Sequence, residues 1–290
     1  MLDDLRNFVL VSNAGTMARA AKQAHITQPG LTASMKRLEA RLGAQLLTRS
    51  RAGCTLTAVG EALLPRAQAA LAAMADCERA VSELAGLERG TIRIAAGATV
   101  CTYYLPRILA RFRQAYPRVL LLVSELTSDE INRRVTAGSV DIGILAYEGG
   151  EPWCTEQLVL VSSPKGPYAP SRVQADAAPF VTFPKGAMTR NLLDRVFPHA
   201  NIVMELGGIA AVKSNVRAGV GVSLLSTVAV ERDLRNGQLV VVPHRALPIR
   251  RTFSLVHRAE RLPPAALSLL EMLRLARGVH GAPRGRRTKA

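Results

Sequence analysis

Residues 16–43, TMARAAKQAHITQPGLTASMKRLEARLG, decide the fold of the N-terminal part of this chain. Thr16 can cap a short alanine-rich helix, and a turn at residues 25–27 leads to a second helix with Pro29 in its first turn. The second helix repeats apolar residues at helical spacing, namely Leu31, Met35, Leu38 and Leu42. Its basic residues point away from that apolar face. The pattern predicts a helix-turn-helix whose second helix can enter the major groove of DNA.

The flanking segments extend this unit to residues 1–58. Apolar residues at helical spacing precede it and end at Gly15, which is a helix stop signal. After Gly43, the basic run RSRAG at residues 49–53 is typical of a hairpin between two short strands. Three helices followed by such a hairpin predict a winged helix-turn-helix.

Residues 59–89 predict one long helix that links this unit to the rest of the chain. Its apolar residues recur at alternating three- and four-residue steps, as in a coiled-coil seam: Leu64, Ala67, Leu71, Met74, Val81 and Ala85. We expect a dimer through this seam and a kink near Pro65.

The basic composition favours a protein that binds a polyanion such as nucleic acid. The 290 residues carry a formal net charge of +16, and residues 1–60 contain 8 Lys and Arg against 3 Asp and Glu. The four cysteines match no metal or disulfide spacing, so we predict neither a metal nor a cofactor. The N-terminus lacks the pattern of a signal peptide, and no segment is apolar and long enough to span a bilayer. These features predict a cytoplasmic protein that does not enter the membrane.

From residue 90 onward, short apolar runs alternate with amphipathic helices. This alternation predicts an α/β domain over residues 90–280 with a parallel sheet covered on both faces. The predicted strands lie in the segments TIRIAAGA, VLLLVSEL, SVDIGILAY, PFVTFPKGA, NIVMELG, VGVSLLS, QLVVVP and RTFSLVHR. LPPAALSLLEMLRLARG predicts a closing helix, and residues 281–290 form a basic tail that we expect to be disordered.

Several separated motifs resemble the LysR-type transcriptional regulators over essentially the whole chain. In the N-terminal part they are LRNFV, GTMARAA, ITQPGLTASMKRLEARLGAQLL and LTAVGEALLPRA. In the α/β part they include YYLP, FRQAYP, VTAGSVDIGI, ELGGIAAVKSNVRAGVGVSLLS and GQLVVV. The resemblance implies a winged helix-turn-helix, a long linker helix and a two-subdomain α/β effector domain like a type II periplasmic binding protein. Subdomain I would cover residues 90–162 and 262–280, and subdomain II residues 163–261.

The same resemblance implies a sequence-specific transcriptional regulator without catalytic activity. Such a protein binds double-stranded DNA that carries an inverted repeat, as a homodimer or homotetramer. It responds to a small-molecule effector and contacts RNA polymerase.

The resemblance also assigns the DNA-binding residues, which are Thr16, Thr27, Gln28, Pro29, Thr32, Lys36, Arg37, Arg49 and Arg51. A glutamine can pair with adenine in the major groove, whereas lysine and arginine at the flanks position the protein on the phosphates. Ala33 departs from the family pattern, since many members carry a longer polar or basic residue there. We therefore expect one base contact fewer in each half-site.

By the same resemblance, the candidate effector-binding residues are Thr99, Thr102, Thr127, Thr189 and Gly208. Helices that begin at Thr102, near Thr189 and after Gly208 would direct free N–H groups at one cleft, which suits a carboxylate or another small anion. Each threonine has an alternative role as a helix cap or strand residue. Gly97, Ala98, Ala187 and Gly208 replace hydroxyl residues of the family, so we expect a less polar pocket or backbone contacts.

Other functions are open hypotheses at this point. An enzyme would draw on the five histidines, His25, His199, His244, His257 and His280, but their spacing predicts no metal site. A cytoplasmic small-molecule-binding protein or enzyme with a nonspecific DNA-binding head is the main alternative. A transport-associated binding protein would need export, and the sequence shows no signal peptide. A protein that coats DNA nonspecifically would not need a large α/β domain. Cys101 at a helix N-terminus would have a lowered pKa, which suggests redox sensing, although no second cysteine lies nearby in the sequence.

Overall fold

The computed structural model describes residues 1–50, 53–84, 90–146, 149–170, 175–258 and 262–276, so the basic tail lies outside the described residues. The predicted helices and hairpin are present as α1 (Leu2–Ala14), α2 (Met17–Gln23), α3 (Gln28–Leu42), β1 (Leu47–Ser50), β2 (Gly53–Leu56) and α4 (Ala58–Leu84). Helix α1 ends at Gly15, which adopts a left-handed φ of 70° and donates its N–H to the Val11 carbonyl. The winged helix-turn-helix is confirmed, and we call α1–α3 with β1–β2 the head.

Helix α3 packs its apolar face into the core of the head. Leu31, Met35 and Leu38 are at most 1% exposed. Leu42 follows Leu38 by four residues and so lies on the same face, but it is 45% exposed and does not belong to the core. Leu42 is the last residue of α3, because Gly43 follows it in a left-handed conformation and turns the chain away.

The hairpin is fixed to the loop between α1 and α2. The N–H of Cys54 donates to the Gly15 carbonyl at 2.7 Å. Gly53 has a φ of +133°, and a Cβ at this position would lie 2.5 Å from the same carbonyl oxygen. Only glycine therefore fits at the start of β2.

The first part of helix α4 packs against the head of its own chain. Leu64 and Ala67, which we predicted in an intermolecular seam, pack in the core of the head, and Ala67 is 1% exposed. Farther along, Met74 is 40% exposed. The side chain of Val81 is not described, and Ala85 lies outside the described residues. Pro65 lies inside the helix, and the kink there stays a prediction.

The rest of the described chain forms the α/β domain that the alternating pattern predicts. Its elements are β3 (Gly90–Ala96), α5 (Leu105–Ala115), β4 (Val119–Glu125), α6 (Ser128–Thr136), β5 (Ile142–Leu145), β6 (Glu151–Ser162), β7 (Pro179–Thr182), α7 (Met188–Val196), β8 (Asn201–Glu205), α8 (Ile209–Arg217), β9 (Ser223–Ser226), α9 (Thr227–Arg235), β10 (Val240–Val241), β11 (Ile249–His257) and α10 (Pro264–Leu275). A π-helix, Val100–Tyr104, precedes α5. None of the described helices combines the length and the apolar character needed to cross a bilayer.

The sheet is mixed, so the prediction of a parallel sheet is only partly correct. Among the described residues, seven strands form one sheet in the order β10-β6-β11-β5-β3-β4, with β9 also paired to β6. Strand β3 is parallel to β4 and β5, whereas β11 is antiparallel to β5 and β6. Strand β11 comes late in the chain but lies between β5 and β6, and it runs opposite to both of them.

Strands β6 and β11 cross between two lobes. We call the lobe built on β3, β4 and β5 lobe I, and the lobe built on β7, β8 and β9 lobe II. Strand β6, which the sequence pattern missed along with α9, pairs with β11 from residue 151 to 158 and then with β9 up to residue 161. The indole N–H of Trp153 donates to the Leu273 carbonyl at 2.7 Å and fixes α10 to lobe I.

Candidate DNA-binding surface and effector cleft

The N-terminal half of α3 forms an exposed concave surface. Thr27 caps the helix, since its hydroxyl accepts the N–H of Gly30 at 3.2 Å. The next turns surround a shallow concavity of about 450 Å³, which we call the notch and which is lined by Gln28, Pro29, Thr32, Ala33 and Lys36. Four predicted DNA-binding residues therefore share one surface with Ala33.

The other predicted DNA-binding residues do not line the notch, and the structure describes only some of them. Thr16 is exposed and caps α2, with its hydroxyl accepting the N–H of Arg19 at 3.3 Å. Arg49 lies on β1, but its side chain is not described, and Arg51 lies outside the described residues. Contact of all these residues with DNA stays a prediction.

Arg37 has a partner within the head. Its guanidinium donates to Asp4 of α1 at 2.8 Å, and the Ser34 hydroxyl donates to the same carboxylate oxygen at 2.7 Å. Burial acts to raise the pKa of Asp4, but the hydrogen bonds from Ser34 and Arg37 outweigh it and lower this pKa overall. Arg37 thus fixes α3 to α1, while its side chain is still 65% exposed.

A second cavity, of about 540 Å³, lies between the two lobes, and we call it the cleft. Lobe I contributes the residues that follow β3, β4 and β5, and lobe II contributes the beginnings of α7 and α8. The lining consists of Gly97, Ala98, Thr99, Glu125, Leu126, Thr127, Ser128, Glu130, Arg133, Ile144, Leu145, Ala146, Phe183, Pro184, Ala187, Met188, Thr189, Gly207, Ile209, Arg251 and Phe253. The cleft therefore lies at the carboxyl ends of strands, where α/β folds bind ligands.

A buried ion pair on the crossing strands connects the cleft to both lobes. Arg251 of β11 lies directly opposite Glu156 of β6, and its Nε and Nη2 atoms both donate to the same carboxylate oxygen, Oε1 of Glu156. They are 8% and 5% exposed. A buried pair of this kind is stable only where further hydrogen bonds satisfy both charges.

Each lobe supplies hydroxyl groups to this ion pair. Arg251 donates to Thr99 of lobe I at 3.3 Å and to Thr189 of lobe II at 3.2 Å. Glu156 accepts the Tyr104 hydroxyl at 3.1 Å and also accepts the Ser226 hydroxyl. Burial and then the nearby Glu156 carboxylate raise the pKa of Tyr104, so its hydroxyl stays protonated and donates. The pair therefore holds the two lobes in a defined relation through four hydroxyls.

The structure brings together three of the five predicted effector-binding residues. Thr99, Thr127 and Thr189 line the cleft. Gly208 is the N-cap of α8 and follows the lining residue Gly207. Thr102 is exposed and is not among the lining residues.

The position of Thr102 corrects the predicted start of its helix. The Gly97 carbonyl already accepts the N–H groups of Val100 and Cys101, at 2.9 and 3.0 Å. The first helical turn therefore begins before Thr99, and Thr102 lies one turn inside the helical segment. Its N–H is not one of the free groups at a helix N-terminus.

The charges of the cleft were missed by the sequence analysis. Glu130 accepts a hydrogen bond from Arg134 at 2.6 Å and forms an ion pair with Arg133. Arg251 is compensated by Glu156, which lies behind it. The cleft thus combines a mainly apolar wall with donor groups of Arg251, Thr99 and Thr189 at one end, which suits an organic molecule with one acidic group.

Cys101 does not have the lowered pKa that we expected. Burial, together with the negative charge of Glu125, raises the pKa of its thiol to about 11. Its sulfur lies 3.5 Å from the Ala96 carbonyl oxygen, to which the thiol donates. This direction is opposite to the lowered pKa that the redox hypothesis assumes.

The fold and the two sites together define a DNA-binding regulator with a ligand-binding domain. The family of bacterial regulatory helix-turn-helix proteins of lysR type matches residues 2–61, and the LysR substrate binding domain family matches residues 85–277. The chain belongs to the LysR family of transcriptional regulators.

Individual relatives agree with this assignment along nearly the whole chain. The chain is 32% identical over 287 residues to the HTH-type transcriptional regulator YeiE of Escherichia coli K12, which covers 93% of this chain and 96% of that protein. It is 28% identical over 287 residues to the RuBisCO operon transcriptional regulator of Allochromatium vinosum, with 94% and 95% covered. The solved structure of full-length CbnR with its target DNA has the same fold, with a TM-score of 0.63, 24% identity and coverage of 95% of this chain and 99% of that one.

Proposed function

We propose that this regulator binds an inverted repeat in double-stranded DNA through the notch and the wing of two heads. The observation that supports this most directly is the exposed surface of Gln28, Pro29, Thr32 and Lys36, which projects from a head whose apolar face is buried. The net charge of +16 adds a sequence-independent attraction to phosphates. The remaining DNA contacts of this proposal are Thr16, Thr27, Arg37, Arg49 and Arg51.

Titrations of specific and random duplexes test this proposal. A regulator should prefer its own site by about 4–10 kcal/mol over random DNA. Gln28→Ala should relax the base preference by about 1–3 kcal/mol at one position and leave nonspecific affinity nearly intact. Arg51→Ala should weaken binding to all sequences alike and reduce the dependence on salt. If both variants caused the same uniform loss, the division into base and phosphate contacts would be wrong.

We also propose that the chain assembles into homodimers and homotetramers in the cytoplasm. Helix α4 continues beyond the head and supplies an apolar surface for a first contact, including Met74. The edge strands of both lobes supply another, since Leu120 and Leu122 of β4 and Val203 of β8 are 45–55% exposed. Paired heads would match the symmetry of an inverted repeat, and the assembly would contact RNA polymerase on the DNA.

The cleft is the proposed effector site, and it binds its ligand without transforming it. We assign to it a small organic carboxylate held by Thr99, Thr189 and Arg251, with Thr127 and the N–H groups that follow Gly207 and Gly208 as additional contacts. Closure of the two lobes on the carboxylate would change the angle between paired heads and so the bending of DNA.

Thermal denaturation with a panel of metabolic carboxylic acids tests the effector site. We expect at least one acid to raise the Tm of the full-length protein. Thr99→Val and Thr189→Val should each weaken its binding about tenfold, because each removes one hydrogen bond to a charged group. Thr252→Val is the matched control, since Thr252 is exposed on β11 and bonds to Thr155 instead. Equal loss in the control, or no response to any acid, would contradict the assignment.

A further inference from the structure

The floor of the notch is apolar, although the notch lies on an exposed and basic face. Pro29 and Ala33 are four residues apart, so they lie one above the other on the helix, and Thr32 lies beside Ala33. Gln28 and Lys36 bound this floor at its two ends. The methyl group of Ala33 is exposed, because Leu31 and Met35 direct the opposite face of α3 into the core.

The small size of Ala33 creates this shape. Because Ala33 lines the concavity, a longer side chain at this position would fill it. The chain has an opening between Gln28 and Lys36 instead, with a methyl group, a proline ring and a threonine at its base. The notch therefore offers an apolar surface against which a methyl group can pack.

The major groove of DNA presents one such group, the 5-methyl of thymine. We propose that Ala33 is a specificity-determining residue, and that the notch receives the 5-methyl group of one thymine in each half-site. Gln28 and Lys36 then lie beside the neighbouring bases or phosphates. This inference rests on the proposed binding of DNA through α3.

The test removes the methyl group from the DNA. A preferred duplex is first selected from a random pool with the full-length wild-type protein, and each thymine of the half-sites is then replaced by deoxyuridine, one at a time. Burial of one methyl group corresponds to about a fourfold change in Kd. We expect about a fourfold loss at one thymine in each half-site and little change at the others.

Two variants connect this loss to the notch. Ala33→Lys fills the notch, so the ratio of Kd values for the uracil and thymine duplexes should fall from about four to about one. Ala40→Lys adds the same charge at an exposed alanine of α3 outside the notch lining, and it should keep the wild-type ratio. Because the ratio compares two duplexes with one protein, the general gain in affinity from the added charge cancels.

The outcomes separate this inference from the proposed function. If selection yields no preferred duplex, sequence-specific binding fails and the inference fails with it. If a preferred duplex is obtained but no thymine shows dependence on its methyl group, only the inference is overturned. Persistence of the uracil effect in Ala33→Lys would overturn it as well, since another residue would then contact the methyl group.

Discussion

Replacing Glu156 by leucine is expected to destabilise the effector domain by about 3–5 kcal/mol. The substitution leaves the guanidinium of Arg251 buried without its counter-charge, and it removes the acceptor of the Tyr104 and Ser226 hydroxyls. Unfolding in urea, followed by the fluorescence of Trp153, measures the loss, because Trp153 is the only tryptophan of the chain and is buried in lobe I. A loss below about 1 kcal/mol would contradict the role of the ion pair.

Two further variants separate the buried charge from the change of residue type. Glu125→Leu makes the same substitution at an exposed position of lobe I and should change stability by about 0.5 kcal/mol or less. The double variant Glu156→Leu with Arg251→Met removes both charges and should recover most of the lost stability. No recovery would indicate that the hydroxyl groups, more than the buried charge, cause the loss.

The head was predictable because local signals determine its elements. Thr16 caps α2, Pro29 lies in the first turn of α3 and Gly15 ends α1, all as the sequence indicates. Each signal acts within a few residues. The errors arose where contacts depend on residues distant in sequence. Ala67 of α4 has the spacing of a coiled-coil seam, but it packs in the core of the head of its own chain.

The ion pair of Arg251 and Glu156 was not predicted, although part of its signal is visible in the sequence. Arg251 shares the inward side of β11 with Ile249 and Phe253, and Glu156 shares the inward side of β6 with Leu158 and Leu160. A charged residue among inward apolar positions is unusual and needs a partner. The sequence does not reveal that these two are partners, because their contact depends on the pairing of strands 95 residues apart.

The threonines of the cleft show the same division between local and distant information. Thr189 was expected near a helix start, and the structure places it there at the edge of the cleft. Thr127 also lines the cleft, where it is the N-cap of α6. Thr102 was misplaced because the helical segment begins at the Gly97 carbonyl, a start that no side-chain cap announces. The prediction of a parallel sheet went too far, since β11 returns between β5 and β6 and runs in the opposite direction to both.

Replacing Leu38 by alanine is expected to destabilise the head by about 2–5 kcal/mol. Leu38 is 1% exposed in the core between α1, α3 and the hairpin, so the smaller side chain leaves a cavity and loses contacts with its neighbours. A unit of this size has a net stability of only a few kcal/mol, and a loss of this magnitude unfolds much of it. Specific DNA binding should then fall strongly, while the effector domain stays folded.

Hydrogen exchange of the full-length protein measures this loss within the head alone. Peptides from α1 and α3 should exchange much faster in Leu38→Ala, and peptides from β3 and β5 should exchange as in the wild type. Leu42→Ala is the matched control, because Leu42 lies on the same helix but is 45% exposed. It should cost about 0.5 kcal/mol or less and retain DNA binding. Equal exchange in the two variants would contradict the claim that burial of Leu38 stabilises the head. That burial matters for DNA binding because the packed apolar face of α3 orients the notch toward the DNA.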